Sequence, residues 1–348
     1  MRIMKLIVLA LSAMSITGAL TGCGKSETGT DSQTAKKTIE ITNVSYDPTR
    51  EFYEAYNKEF AKYWFEKSGQ EVKVTQSHGG SGKQARSVIE GNEADVVTLA
   101  LSYDITAIHK AGLIEEGWQE EFDNNSSPYT SIIVFLVRKD NPQQIRGWGD
   151  LIRDGVKIIT PNPESSGGAR WNYLAAWAYA DQAYNHDETR IKEYMRQLYH
   201  NVLVLSSGAR GATAAFAENG QGDVLIAWEN EAYLMLEENP EDFEIITPDI
   251  SILAEPPVAV VDEVAAERGT GEVAAAYLEY LYSDTGQELA ARYHYRPRNK
   301  EILARYSDVF SQDLKLVTID DELFGGWENV QEKHFADGKI FDEIYNAQ

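Results

Sequence analysis

Apolar runs of two kinds recur along the chain, separated by polar turns and helix-like stretches. Residues 38–44 alternate apolar and polar and predict a strand; a helix-like stretch follows at 48–67. A short strand at 71–75 leads through a glycine-rich turn into a helix at 82–90. The unbroken apolar run 94–101 predicts a strand buried on both faces. The pattern then recurs with different residues. A long strand is predicted at 130–138, a strand at 156–160 and a long helix at 168–184. A strand at 202–205 enters a second small-residue turn and helix, and another strand covers 223–228. Residues 254–261, with Pro256-Pro257, read as extended, and helices follow at 271–282 and 286–293. Strands alternating with helices predict an α/β fold with largely parallel sheets.

Composition narrows the partner class. The 348 residues are 43% hydrophobic and 25% charged, which excludes a mostly disordered chain and a polytopic membrane protein. The length suits two lobes, each with its own core. Asp and Glu outnumber Lys and Arg by 55 to 32, a formal charge of −23. Nucleic acid is thereby excluded as the main partner, because phosphate backbones need a basic footprint. The same charge opposes an anionic ligand at long range.

The N-terminus changes the setting. Arg2 and Lys5 precede an apolar run from Leu6 to about Leu20, broken by Ser12, Ser15 and Thr17. It is too short for a membrane span and reads as a secretory signal over residues 1–22. The run ends Leu20-Thr21-Gly22-Cys23, and Cys23 is the only cysteine. This looks like a bacterial lipobox, with Cys23 diacylated as the new N-terminus and more than one hydrocarbon chain for anchoring; a free thiol is the plain alternative. Removing Arg2 and Lys5 takes the charge from −23 to −25. A lone cysteine precludes an internal disulfide, so the exported domain must rest on its core. Residues 24–37 form a polar tether, and the folded part begins near Thr38.

Four strand ends carry polar, small-residue turns that open helices: 43–48, 76–83, 161–170 and 206–213. The carboxyl edge of a parallel sheet is where ligands bind. A helix N-terminus exposes unpaired N–H groups and carries about +0.5 charge. One such turn is an ordinary cap; four together point to an anion site. Sharper motifs fail. A P-loop needs Gly at position 77 and Ser or Thr after Lys83, where Ser77 and Gln84 stand. Lys83 also breaks the G-x-S-x-G elbow in 79–83. No His-Glu-x-x-His occurs and the six histidines are scattered, so no metal or other cofactor is expected. His78 is either a base or a residue that fixes the turn.

The same segments carry a family pattern. Across essentially all of 38–348 the chain resembles the sulfate-binding proteins, the extracytoplasmic receptors of bacterial sulfate/thiosulfate ABC importers. The strings are 43–50, 76–84, 94–101, 162–174, 207–213, 222–232, 252–256 and 295–299. The resemblance implies a type II periplasmic-binding-protein fold, two α/β lobes joined by hinge strands around a ligand cleft. The implied lobes are 38–128 plus about 256–310, and 129–255, with crossings near 128–130 and 254–258. Residues 311–348 are expected to be C-terminal helices packing on both. Backbone N–H donors are implied at Asp47, Ser81, Gly167, Gly168 and Ala209. The hydroxyl of Ser166 and the indole N–H of Trp228 complete the shell. Arg170 and Arg210 are expected to brace peptide groups outside that shell, with His78 beside them. Glu164 departs from the family, which usually has a lysine there.

The donor set fits the chemistry of sulfate. Unprotonated at neutral pH, it only accepts hydrogen bonds, whereas the proton on phosphate needs an acceptor, and stranding it costs about 1–3 kcal/mol. Seven bonds to a charged group give a gross ~10–20 kcal/mol, much of it offset by desolvation and lost motion. The expected function is a monomeric, lipid-anchored receptor that hands sulfate or thiosulfate to an ABC permease. Receptors for molybdate, tungstate or phosphate are alternatives, as is a receptor that signals without transport. A sulfate- or phosphate-ester hydrolase using Ser81 or Ser166 with His78 is the enzymatic alternative, for which the sequence offers no adjacent base.

Overall fold

The computed structural model describes residues 38–346. The signal segment, Cys23 and the tether lie outside the described residues.

The first sheet has four strands in the order Val258–Val260, Val96–Thr98, Ile39–Tyr46, Val72–Gly79. Ile39–Tyr46 runs parallel to both of its neighbours, and Val258–Val260 returns antiparallel against Val96–Thr98. The second sheet has five, in the order Val202–Ser206, Ile158–Pro161, Val224–Trp228, Ile133–Arg138, Phe243–Ile246. Ile158–Pro161 is parallel to both neighbours, while Ile133–Arg138 is antiparallel to both of its own. The expectation of largely parallel sheets holds in the first sheet, where two of three pairings are parallel, and in part in the second, where two of four are. The antiparallel pairings follow from connectivity. Ile133–Arg138 and Val258–Val260 enter their sheets from the crossings rather than from a preceding strand–helix unit.

Most predicted elements are present. The helix expected at 48–67 is Arg50–Ser68, entered by the single tight turn Asp47–Thr49 with Pro48 fixing its first φ. It ends at Gly69, whose φ of 66° lets its N–H return to the Phe65 carbonyl. The run 94–101 is buried throughout, but only Val96–Thr98 pairs as strand. The pattern leaves unassigned the helices Ser102–Lys110, Glu188–His200 and Glu229–Glu238.

Two chain crossings link the sheets. Tyr129–Thr130 pairs antiparallel with Arg296–Pro297, and Ser131 pairs with Ala254 through N–H···O bonds of 3.0 and 2.9 Å. The segment 327–345 packs on the helices Gly167–Ala183 and Glu188–His200. Trp327 meets Trp171 edge to face at 4.8 Å, and Phe335 and Phe341 meet Tyr173. No helix among the described residues is long and apolar enough to cross a membrane.

Candidate functional site

The strand Ile39–Tyr46 delivers Asp47 at its carboxyl end, as the first residue of the turn Asp47–Thr49. The strand Val72–Gly79 delivers Ser81 as the first residue of the helix Ser81–Ile89. From the second sheet, Ile158–Pro161 leads to Ser166 at the N-cap of Gly167–Ala183, where its Oγ accepts the Ala169 N–H at 3.3 Å. Ala209 opens the short helix Ala209–Thr213, and Trp228 closes the strand Val224–Trp228.

These turns meet in space, and the glycines show how closely. A Cβ on Gly167 would lie 2.8 Å from Ser81 Cβ, and one on Gly80 would lie 2.6 Å from the Ser165 carbonyl oxygen. A Cβ on Gly208 would lie 2.8 Å from an Asp47 carboxylate oxygen. Trp228 Nε1 donates to the Gly168 carbonyl at 3.0 Å, and its ring packs 5.4 Å from Tyr46. All seven expected positions are thus brought to one place, where helix N-termini from both sheets converge. Such a set offers fixed N–H dipoles to an anion without a lysine or arginine in contact. The Trp228 indole N–H, which the resemblance assigns to the ligand shell, donates here to the Gly168 carbonyl and must be shared or exchanged to reach a ligand.

Arg170 Nε donates to the Pro163 carbonyl at 2.9 Å, in the turn before Ser166, and the side chain also bonds Gln331 and lies over the Phe335 ring. Arg210 does not hold a peptide group. Its Nη2 pairs with Glu51 Oε1 at 2.6 Å, joining the turn after Val202–Ser206 to the helix beside the first sheet. The physical reason is charge: Glu51 is the nearest acidic group to its guanidinium, and a carboxylate outcompetes a carbonyl. Glu164 is exposed and caps within its own turn through Asn162.

Three supporting residues escape sequence reasoning. Asp104, buried in the helix Ser102–Lys110, accepts from Ser81 Oγ at 2.5 Å, while that oxygen accepts the Ala100 N–H at 3.1 Å. Both functions of the Ser81 hydroxyl are thus engaged within the protein. Burial pushes the Asp104 carboxyl up, opposed by the Ser81 bond and Arg170. Trp171 Nε1 donates to the Ala100 carbonyl at 2.9 Å, tying the two sheets' elements together beside Ser81. Glu229, next to Trp228, is buried and held by both Nε and Nη2 of Arg296 at 2.6 and 2.8 Å. None has a local motif; their partners are 23 or more residues away in sequence.

His78 Nε2 is buried with no hydrogen-bond partner, and His78 is bonded to neither serine. Burial, then the positive charges of Arg50 and Arg210, pull it down to about 4, so the ring is neutral at physiological pH. In the unfolded chain its value returns to about 6.5. The unfolded state therefore binds the extra proton between those values, and stability rises with pH across that window. Buried His334, lowered to about 3, acts in the same sense. The melting temperature is expected to fall on acidification from pH 7 to 4.5, and His78→Asn to flatten that fall. An identical pH slope in the variant would place the titration elsewhere.

A family model for bacterial extracellular solute-binding proteins matches residues 41–296. The sulfate-binding protein of Escherichia coli (strain K12) is 60% identical over 309 residues, covering 88% of this chain and 93% of that protein. The thiosulfate-binding protein of Pseudomonas aeruginosa is 46% identical over 308 residues, covering 88% and 92%. Among solved structures, the sulfate-binding protein SubI from Mycobacterium tuberculosis H37Rv has a TM-score of 0.77 at 33% identity, covering 86% of this chain and 100% of that one. The mixed α/β architecture is that of the periplasmic solute-binding proteins. The chain belongs to the bacterial extracellular solute-binding proteins, and within them to the family of the sulfate-binding proteins.

Proposed function

We propose that the chain binds sulfate, with thiosulfate as a second ligand, and delivers it to an ABC permease as a non-enzymatic receptor. The observation that carries this reading is the meeting of Asp47, Ser81, Gly167, Gly168, Ala209, Ser166 and Trp228 at the ends of strands from both sheets. The names of the relatives support the choice of anion. On this reading the lobes are 38–128 with about 256–310, and 129–255, hinged at the paired crossings, and 311–348 packs on them. Closure around the anion presents a two-lobed surface to the permease. Anchoring of a monomer through diacylated Cys23, on the outer face of a membrane, completes the proposal.

A calorimetric titration of the mature domain with sulfate and thiosulfate tests it. A thermal-shift series with molybdate, tungstate and phosphate separates the neighbouring anion classes. A native-state ligand must raise the melting temperature, so saturating sulfate without effect would remove the claim. Ser166→Ala is expected to weaken sulfate more than about tenfold, having lost a donor to a buried charge, and to cost about 1 kcal/mol of helix capping. Turnover of aryl sulfate or phosphate esters that vanished in that variant would instead establish an enzyme.

On this reading the Arg210–Glu51 pair joins the two lobes across the cleft. Each side chain is 37% exposed, so the pair contributes only about 0.2–1 kcal/mol. Arg210→Gln is expected to speed sulfate dissociation up to about fivefold, most at low salt, in stopped-flow measurements.

A further inference from the structure

Away from the anion site, a cavity of about 450 Å³ opens between the helix Ser102–Lys110, the loop before the first crossing, and the segment 319–328. Its volume lies within the usual range for small-molecule pockets, about 300–1,000 Å³. One wall is aromatic. Trp327 and Tyr103 line it, and Trp327 is fixed by its edge-to-face contact with buried Trp171. The lining also includes Gln119, Asn124, Asn125 and Asp320. Among the described residues, none of these four side chains has a protein hydrogen-bond or ion-pair partner. The neighbouring acids are already committed: Asp321 caps Thr318, Glu255 pairs with Arg298 at 2.7 Å, and Glu328 pairs with Lys110 at 2.9 Å.

The lining selects a ligand class. The lining carries the carboxylates of Glu255, Asp320 and Glu328 and no lysine or arginine, which disfavours an anion. One uncommitted carboxylate is too few for a metal ion, and no acid or imidazole cluster of metal-binding size occurs among the described residues. Amides donate and accept at once, which matches hydroxyl groups that do the same. An aromatic wall covers the apolar C–H face of a ring. We infer that this cavity is a second ligand site for a neutral saccharide of one or two rings, held by the amides of Gln119, Asn124 and Asn125 and the half-buried ring of Tyr103.

The site is separable from the anion site. The full-length mature protein is titrated with glucose, maltose and soluble dextran, read by saturation-transfer NMR and melting temperature, with sulfate saturating throughout. At least one of the three is expected to bind. The double variant Gln119→Ala/Asn125→Ala, both at exposed positions, should weaken that binding at least tenfold while sulfate still raises its melting temperature as in wild type. Asp320→Asn should weaken it less. Binding of dextran without the free sugars would assign the site to polymer-borne saccharide, and the reverse to a soluble one. No binding by any probe, or binding unchanged in the double variant, overturns the inference, whatever sulfate does.

Discussion

Gly167→Ala is expected to weaken sulfate binding about ten- to hundredfold without destabilising the unliganded protein. Gly167 opens the helix Gly167–Ala183, and its backbone is ordinary for any residue. The constraint is across the cleft. A methyl group would lie 2.8 Å from Ser81 Cβ, 3.1 Å from Leu101 Cγ and 3.2 Å from Ala100 Cβ. All three belong to segments around the first sheet, so on the proposed two-lobed reading the clash arises when the cleft closes. Overpacking of this kind costs about 1–3 kcal/mol, and at 1.4 kcal/mol per tenfold that sets the range. On the same reading, the open state should be no less stable than wild type, since the added methyl then meets no neighbour and alanine suits a helix at least as well as glycine. Calorimetry with sulfate, beside thermal melts without it, checks both halves. Wild-type affinity would mean the two turns do not close on each other.

Trp228→Phe is expected to weaken sulfate more than about tenfold while the protein keeps most of its stability. Phenylalanine keeps an aromatic ring against Tyr46 and loses the N–H together with the indole's second ring. A hydrogen bond to a charged group contributes about 1.5–3 kcal/mol. Trp228→Ala should lose binding too, and about 3–5 kcal/mol of stability as well, because the indole is buried. The comparison of the two variants isolates the donor from the ring. Sulfate affinity unchanged in Trp228→Phe would assign the indole to the Gly168 carbonyl, its partner in the structure at 3.0 Å.

Legibility in the sequence followed the range of the interaction. Strands and helices with a local period stood out, and so did the four polar turns, because glycine, serine and proline act within a few residues. Those turns contain every proposed donor except Trp228, which the family strings supplied. The antiparallel insertion of Ile133–Arg138 was not legible, since an apolar strand reads the same in either direction. Nor was the part of Asp104: an aspartate in the first turn of a helix reads as a cap, and only the fold puts Ser81 against it. Arg210 was legible as a cation beside a donor turn, but its partner Glu51 lies 159 residues away.

The strand order of the two sheets also bears on how the chain acquires its structure. A polypeptide emerges N-terminus first, and units fold as their parts arrive. All strands of the second sheet fall within 133–246, a contiguous stretch. The first sheet begins earlier, at Ile39, yet is incomplete until Val258–Val260 has been delivered to its edge. Until then Val96–Thr98 has an open flank, the kind of unpaired edge that invites association with another chain. The half that starts first therefore finishes last. Its exposed interval is set by the time needed to extrude the roughly 160 residues between Thr98 and Val258, whatever the intrinsic folding rate of either half.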